Sequence, residues 1–149
     1  MTPSAVLVLG RARPSPIEVG DAVQALRAAG ASVTVVTHDD VTPSGTPDVP
    51  VLVVGSRPQP GRGTGSPLVR LVRLAVRTAL RRTPAANLTR AVLGRRDVRD
   101  LAAKADVVVA GDSHAIEAVW RLARRLPGPA AVNGVPAAVR ELRTRRVES

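Results

Sequence analysis

The chain has 149 residues, a length suited to one domain with a single core, and 44% of them are hydrophobic. It contains no Cys, Phe or Tyr, one Trp and two His. This composition excludes disulfides, thiol chemistry, cysteine- or histidine-rich metal sites and a nucleic-acid surface of stacked aromatic side chains. We therefore expect neither a metal nor a cofactor.

The formal net charge is +10, and the basic residues are 21 arginines and one lysine. Residues 61–99 carry most of the excess, with ten arginines and one acid. Such a segment can bind an anionic membrane, nucleic acid or a phosphorylated ligand, and it can equally be a solvated helix face. Neither an export signal nor a run of about 18 apolar residues is recognisable. We expect a cytoplasmic protein, peripheral at the inner membrane face if the basic segment binds lipid.

The first elements predict a strand–helix–strand unit. Residues 5–9 (AVLVL) are an uninterrupted apolar run, typical of a strand buried on both faces. A helix follows, because Ser15 is a capping residue and Glu18 completes a capping box three positions later. Gly30 ends this helix. The β-branched residues of Ser32–Thr37 then indicate a second strand.

The central part is less regular. Residues 38–50 are polar and predict a loop, 51–54 predict a third strand, and the Pro/Gly-rich residues 56–67 predict a flexible loop. Residues 66–82 (SPLVRLVRLAVRTALRR) then predict a helix that is apolar around most of its circumference. Its basic residues, a stripe of four and one more at the end, are Arg70, Arg73, Arg77, Arg81 and Arg82. We expect a further contact to bury the apolar surface that packing of this helix on a sheet would leave exposed.

The last part predicts one or two helices over 90–104, interrupted near Gly94, and a fourth strand over 105–110. A helix through Leu126 follows, capped by Asp112 or Ser113. The side chains that we predict to face inward from it are Ile116, Val119, Trp120, Ala123 and Leu126. A short fifth strand (129–132) and a closing helix (136–146) complete the chain. Apolar strands alternating with helices predict one three-layer, Rossmann-like α/β domain over 1–149, with a parallel sheet of about five strands.

Ligands of such folds bind beside the carboxyl ends of the strands. Gly10 and Arg11 follow the first strand, in a segment that lacks both the dinucleotide fingerprint and the P-loop ending. His38 opens the loop after the second strand, where three adjacent polar residues favour a loop role over a site. Glycines at alternate positions of 56–67 fit a flexible loop better than a phosphate cradle.

The most site-like cluster follows the fourth strand and consists of Gly111, Asp112, Ser113 and His114. A carboxylate, a hydroxyl and an imidazole at a helix start could hold a hydroxylated ligand, or Asp112 and His114 could form an acid–base pair. Helix capping explains Asp112 and Ser113 equally well. No nucleophile elbow of the G-x-S-x-G type is present, so a serine hydrolase is not indicated.

Two segments carry a family resemblance: residues 28–37 (AAGASVTVVT) and 105–125 (ADVVVAGDSHAIEAVWRLARR). They resemble the second strand and the site strand of the amino-terminal domain in retaining, family 4-like GT-B glycosyltransferases. The resemblance implies a Rossmann-like domain whose partner, a carboxyl-terminal domain, grips the sugar-nucleotide donor; no such domain follows within these 149 residues. The family's active-site histidine falls on Gly111. The basic helix of 66–82 occupies the region that these enzymes use near membranes or lipid-linked acceptors.

The sequence therefore favours a stand-alone, non-catalytic glycosyltransferase-like domain that binds a partner or an acceptor, with the arginines of 68–82 on an anionic membrane. The alternative is the acceptor-binding subunit of a two-polypeptide glycosyltransferase, which needs a separate donor-domain protein. A homodimer through the 68–82 helix would also cover the apolar face. Non-specific nucleic-acid binding ranks last, because aromatic residues and a recognisable reading helix are missing.

Overall fold

The computed structural model describes residues 2–55 and 84–148. The flexible loop predicted at 56–67 lies outside these ranges. So does the basic helix predicted at 66–82, with Arg70, Arg73, Arg77, Arg81 and Arg82. The structural observations below concern the described residues alone.

Within these ranges strands and helices alternate along the chain. They are β1 (Ser4–Leu9), α1 (Pro16–Ala28), β2 (Ser32–Thr37), β3 (Val51–Val53), α2 (Pro84–Gly94), α3 (Arg96–Ala103), β4 (Val107–Ala110), α4 (Ile116–Arg125), β5 (Ala130–Asn133) and α5 (Val135–Glu148). The strands form one parallel five-stranded sheet in the order β3-β2-β1-β4-β5. The predicted Rossmann-like α/β class is confirmed.

The strand order places a topological switch point between β1 and β4. From β1 the chain builds outward through β2 to β3, and it then returns to the other side of β1 with β4 and continues to β5. The loops that leave β1 and β4 therefore diverge to opposite sides and leave a crevice between them. This crevice is where a doubly wound sheet usually holds its ligand.

Helices cover both faces of the sheet, which explains why the strands are apolar at consecutive positions. Leu7 and Val109 belong to the core under α1 and α5. Val6 and Val8 belong to the core under α2, α3 and α4. Alternate side chains of a strand thus enter different cores, and a single strand contributes to both.

Helix α1 starts and stops as the sequence predicts. Pro16 takes the first position, and the Ser15 hydroxyl accepts a hydrogen bond from the Glu18 N–H at 3.5 Å. Gly30 follows the helix with φ +88°, a conformation that a residue with a Cβ rarely adopts. The Glu18 carboxylate lies 3.6 Å from the Arg11 guanidinium.

The predicted inward face of α4 is wrong at Ile116 and Trp120, although Val119 is buried and Leu126 packs against the core as predicted. Ile116 and Trp120 are 40% and 54% exposed, whereas the buried residues are Ala118, Val119 and Leu122. The buried stripe is displaced by one residue, about 100° around the helix. Two overlapping apolar stripes exist in this sequence, and the one with smaller side chains fits against the sheet. Trp120 stays outside, where the Arg124 guanidinium lies 4.8 Å from its ring centroid.

Other differences concern element boundaries. The break predicted near Gly94 falls at Arg95, whose extended backbone separates α2 from α3, and α2 already begins at Pro84. Helix α4 begins only at Ile116, later than a cap at Asp112 or Ser113 predicts. None of the helices in 2–55 and 84–148 has the length and apolarity needed to cross a membrane.

Candidate functional site

The loops that follow β1 and β4 touch at two glycines. A Cβ on Gly10 would lie 2.6 Å from the His114 Cβ, and a Cβ on Gly111 would lie 2.5 Å from a Leu9 methyl carbon. The Gly111 N–H also donates to the Val8 carbonyl at 2.8 Å. The floor of the crevice is therefore tightly packed: an added Cβ would meet backbone atoms at Gly10 and leucine methyl groups at Gly111.

Asp112 joins the two loops through its carboxylate. One oxygen, Oδ2, accepts hydrogen bonds from the N–H groups of Gly10 at 2.8 Å and Arg11 at 2.9 Å. The other, Oδ1, accepts from the N–H groups of His114 at 2.9 Å and Ala115 at 3.1 Å. All four donors are backbone groups, and carboxylates accept such bonds strongly. Asp112 thus fixes the loop after β1 against the turn that leads into α4.

This geometry refines the capping prediction. Asp112 satisfies N–H groups ahead of α4, while the residue that directly precedes the helix is Ala115, without a side-chain cap. The Ser113 side chain is exposed. The His114 Nδ1 atom lies 3.9 Å from Asp112 Oδ1, too far for a hydrogen bond, and its side chain is about half exposed. The His114 imidazole is therefore partly exposed to solvent and is not hydrogen-bonded to the Asp112 carboxylate.

A second carboxylate pins the other end of the loop after β1. The N–H of Arg13 donates to Asp39 Oδ2 at 3.0 Å, and Arg13 itself has φ +56°. A left-handed conformation is unusual for a non-glycine residue and is often found at functional sites. Asp112 and Asp39, which follow strands on either side of β1, hold this short loop between them. Sequence reasoning missed Arg13, because a positive φ at a non-glycine residue leaves no mark in the sequence.

The loop forms one wall of a small, shallow pocket of about 70 Å³ that is open to solvent. The residues that line it are Leu9, Arg11, Pro14, Glu18, Val19, Ala22, Gly111 and Asp112. At its mouth the exposed side chains of Arg11 and Glu18 place a charged donor beside a charged acceptor. An apolar wall with a few convergent polar groups is the usual composition of a small-molecule site. Sequence reasoning had named Arg11, Gly111 and Asp112 but not Glu18.

His38 lies apart from this pocket. It directly follows the carboxyl end of β2, beside the backbone that follows β3. A Cβ on Gly55 would lie 2.0 Å from its Nδ1 atom, so the imidazole packs against the backbone after β3. Burial lowers the pKa of His38, and the Asp39 carboxylate partly opposes this shift. Beside it, the Thr37 hydroxyl is buried and has no hydrogen-bond partner in the part of the chain described.

Residues 2–55 and 84–148 contain no group of three or more His, Cys, Asp or Glu side chains that could hold a metal ion. A second concavity, an open groove of about 510 Å³, lies between α2 and α4. Three arginines border it: Arg90, Arg121 and Arg125. This groove lies on the face of the sheet opposite to α1 and α5.

Fold and site together define a Rossmann-like α/β domain with a crevice at its switch point. No protein-family model matches the chain, and no curated protein matches it either. The likeness to glycosyltransferase domains therefore remains a hypothesis that depends on the two sequence segments quoted above.

Proposed function

We propose that this chain is a binding domain of the GT-B amino-terminal type, non-catalytic by itself, that holds a hydroxylated acceptor or a partner group in the crevice between β1 and β4. The observation that carries the proposal is the bonding of Asp112. The Asp112 carboxylate, which joins the loops after β1 and β4, accepts four backbone hydrogen bonds. These hydrogen bonds hold the two loops that form the crevice in place.

A catalytic base needs a lone pair within reach of the proton that it removes. The oxygens of Asp112 are directed at backbone N–H groups, and His114 is too distant to form a hydrogen-bonded couple with it. The position to which the resemblance assigns the family's histidine is Gly111. A side chain there would collide with Leu9 and Leu7, at 2.5 and 3.0 Å from the Cβ. Neither Asp112 nor the position of the family's histidine thus supplies an acid–base group to the crevice.

The pocket also favours a particular ligand chemistry. The Arg11 guanidinium offers several donors, the Glu18 carboxylate lies 3.6 Å away and offers acceptors, and Val19 contributes to the apolar wall. A sugar presents hydroxyls that donate and accept, together with an apolar ring face. Phosphate on the ligand would add a charge-assisted bond to Arg11. We therefore assign the pocket to a sugar or a sugar phosphate.

The test is a titration of the ¹⁵N-labelled full chain with glucose, glucose 1-phosphate and UDP-glucose, followed by NMR. We expect at least one sugar probe to shift the amide signals of residues 9–14 and 111–115. Arg11→Gln should weaken that binding about tenfold, because a hydrogen bond to a charged group is lost. Arg140→Gln on α5 removes the same charge from an exposed helical position and should leave the affinity unchanged.

Three results would contradict the proposal. The first is shifts confined to other parts of the chain, and the second is the absence of shifts with all three probes. The third is release of UDP from UDP-glucose by the chain alone, which would show that it carries catalytic groups.

A further inference from the structure

The single aromatic residue of this protein lies on its surface. Trp120 is 54% exposed, and Ile116, one turn earlier on α4, is 40% exposed. Arg124 stands on the same side of the helix, and Arg121 and Arg125 are exposed next to it, toward the groove with α2. We call this exposed set the α4 outer face: Ile116, Trp120, Arg121, Arg124 and Arg125. The opposite side of α4 is buried through Ala118, Val119 and Leu122. The exposed side chains are thus unnecessary for packing α4 on the sheet.

Only some of the charged side chains of this face form an ion pair or a ring contact within the protein. Arg121 pairs with Glu117 at 2.8 Å, and Arg124 lies over the Trp120 ring. Arg125 and Arg90, which border the groove between α2 and α4, have no ion-pair partner within the described residues. Four arginines (Arg90, Arg121, Arg124 and Arg125) against one acid (Glu117) leave a net charge of +3 on this face and the adjoining groove.

We propose that the α4 outer face rests on an anionic lipid bilayer, with the Trp120 indole at headgroup depth and the arginines on lipid phosphates. An amphipathic aromatic ring favours the membrane interface, and long basic side chains beside it can reach the phosphates while their stems cover apolar surface. Basic residues close to an anionic leaflet are attracted to it. This inference goes beyond the proposed function and does not depend on it. It also differs from the sequence hypothesis, which placed the membrane contact at 68–82.

Other occupants fit less well. A stable protein interface buries about 800 Å² on each partner around a well-packed centre, and two exposed large apolar side chains are a small centre for one. A second copy of this face would bring like charges together. Residues 56–83 of the same chain carry seven arginines and no acid, so their charge does not complement that of this face. Binding to a bilayer requires only shallow insertion of the apolar side chains and lipid headgroups of charge opposite to that of this face.

The composition of the chain provides a direct test. Trp120 is the only Trp and Tyr is absent, so the intrinsic fluorescence of the protein comes from this one position. We expect vesicles of 30% phosphatidylserine in phosphatidylcholine to shift the emission to shorter wavelength and to protect the indole from iodide. Vesicles of pure phosphatidylcholine should do neither, since they lack the anionic charge.

Arg124→Gln with Arg125→Gln should weaken sedimentation with the anionic vesicles roughly 25-fold, about fivefold for each arginine. The matched control is Arg140→Gln with Arg143→Gln, which removes the same charge from exposed positions of α5 on the other face of the sheet. The control should change binding less than threefold. Trp120→Ala should weaken sedimentation with little effect on folding, because its side chain is exposed.

Vesicle binding that leaves Trp120 emission unchanged would overturn the proposal, because another surface would then make the contact. Equal losses in the two arginine pairs would also overturn it. So would an absence of vesicle binding, or an emission shift produced only by an acidic peptide, poly-glutamate, or by single-stranded DNA.

Discussion

The crevice and the α4 outer face use charge in opposite ways. In the crevice, the Asp112 carboxylate is surrounded by backbone donors of its own chain, and Asp39 holds Arg13 in the same manner. On the α4 outer face, Arg125 projects outward, and its neighbour Arg124 covers an exposed indole. Charges of the first kind shape the fold, whereas charges of the second kind remain for an outside partner. Substitutions should therefore affect stability in one region and association in the other.

Asp112→Ala should cause the largest loss of stability. It leaves four backbone N–H groups at the junction of two loops without their acceptor, and we expect the free energy of unfolding to fall by about 3 kcal/mol. Asp112→Asn should also destabilise, because its NH₂ group would face two N–H donors. Urea denaturation measures both. Asp100→Ala is the control. Within the described residues Asp100 makes one exposed ion pair, with Arg96 at 3.7 Å, and its loss should lower the free energy of unfolding by less than about 0.5 kcal/mol. Equal losses for Asp112 and Asp100 would refute the structural role of Asp112.

Gly10→Ala should come next, with a loss of about 2 kcal/mol from overpacking. Its Cβ would lie 2.7 Å from the His114 backbone carbon, which cannot move aside as a flexible side chain can. Gly94→Ala is the matched change, because no neighbouring atom of residues 2–55 and 84–148 outside its own helical backbone lies within 4 Å of the added Cβ. That variant should be neutral or up to about 1 kcal/mol more stable. Thermal or urea unfolding distinguishes the two, and a neutral Gly10→Ala would show that the loops do not touch.

Glu117→Gln should have a small effect on the stability of the α4 outer face. Its pair with Arg121 is exposed and spans one helical turn, so its removal should lower the free energy of unfolding by about 0.4 kcal/mol. Because the change also removes an acid from a basic face, binding to anionic vesicles should become about fivefold tighter. Weaker vesicle binding would contradict the assignment of this face.

His38 should produce the smallest effect, visible only as a dependence on pH. Burial lowers its folded-state pKa below the ordinary value of 6.5, so the unfolded chain binds the proton more readily. Stability from the neutral imidazole is complete above that ordinary value and is lost as the pH falls below it. Between pH 7.5 and 5 the wild-type protein should therefore lose more stability than His38→Gln, measured by urea midpoints. A steeper loss of stability in His38→Gln than in the wild-type protein over this pH range would contradict the prediction.

Part of the crevice was predictable from sequence. Gly10, Arg11, Gly111 and Asp112 all stand directly after apolar strands, and parallel strands bring their carboxyl ends to one edge. Their local contacts were not predictable, since four donors from two loops converge on Asp112 only after β4 has paired with β1. The same holds for Asp39 and Arg13, which are 26 positions apart.

The sequence by itself determined the class of fold, because consecutive apolar positions in every strand require helices on both faces of the sheet. It also determined the start of α1 through Ser15 and its end through Gly30, since capping depends on neighbouring residues. Tertiary structure decided which side of α4 is buried. Two apolar stripes compete there, and the space left by β4 and α2 admits Ala118 and Leu122 but leaves Trp120 outside. Packing volume, which local sequence does not encode, made that choice.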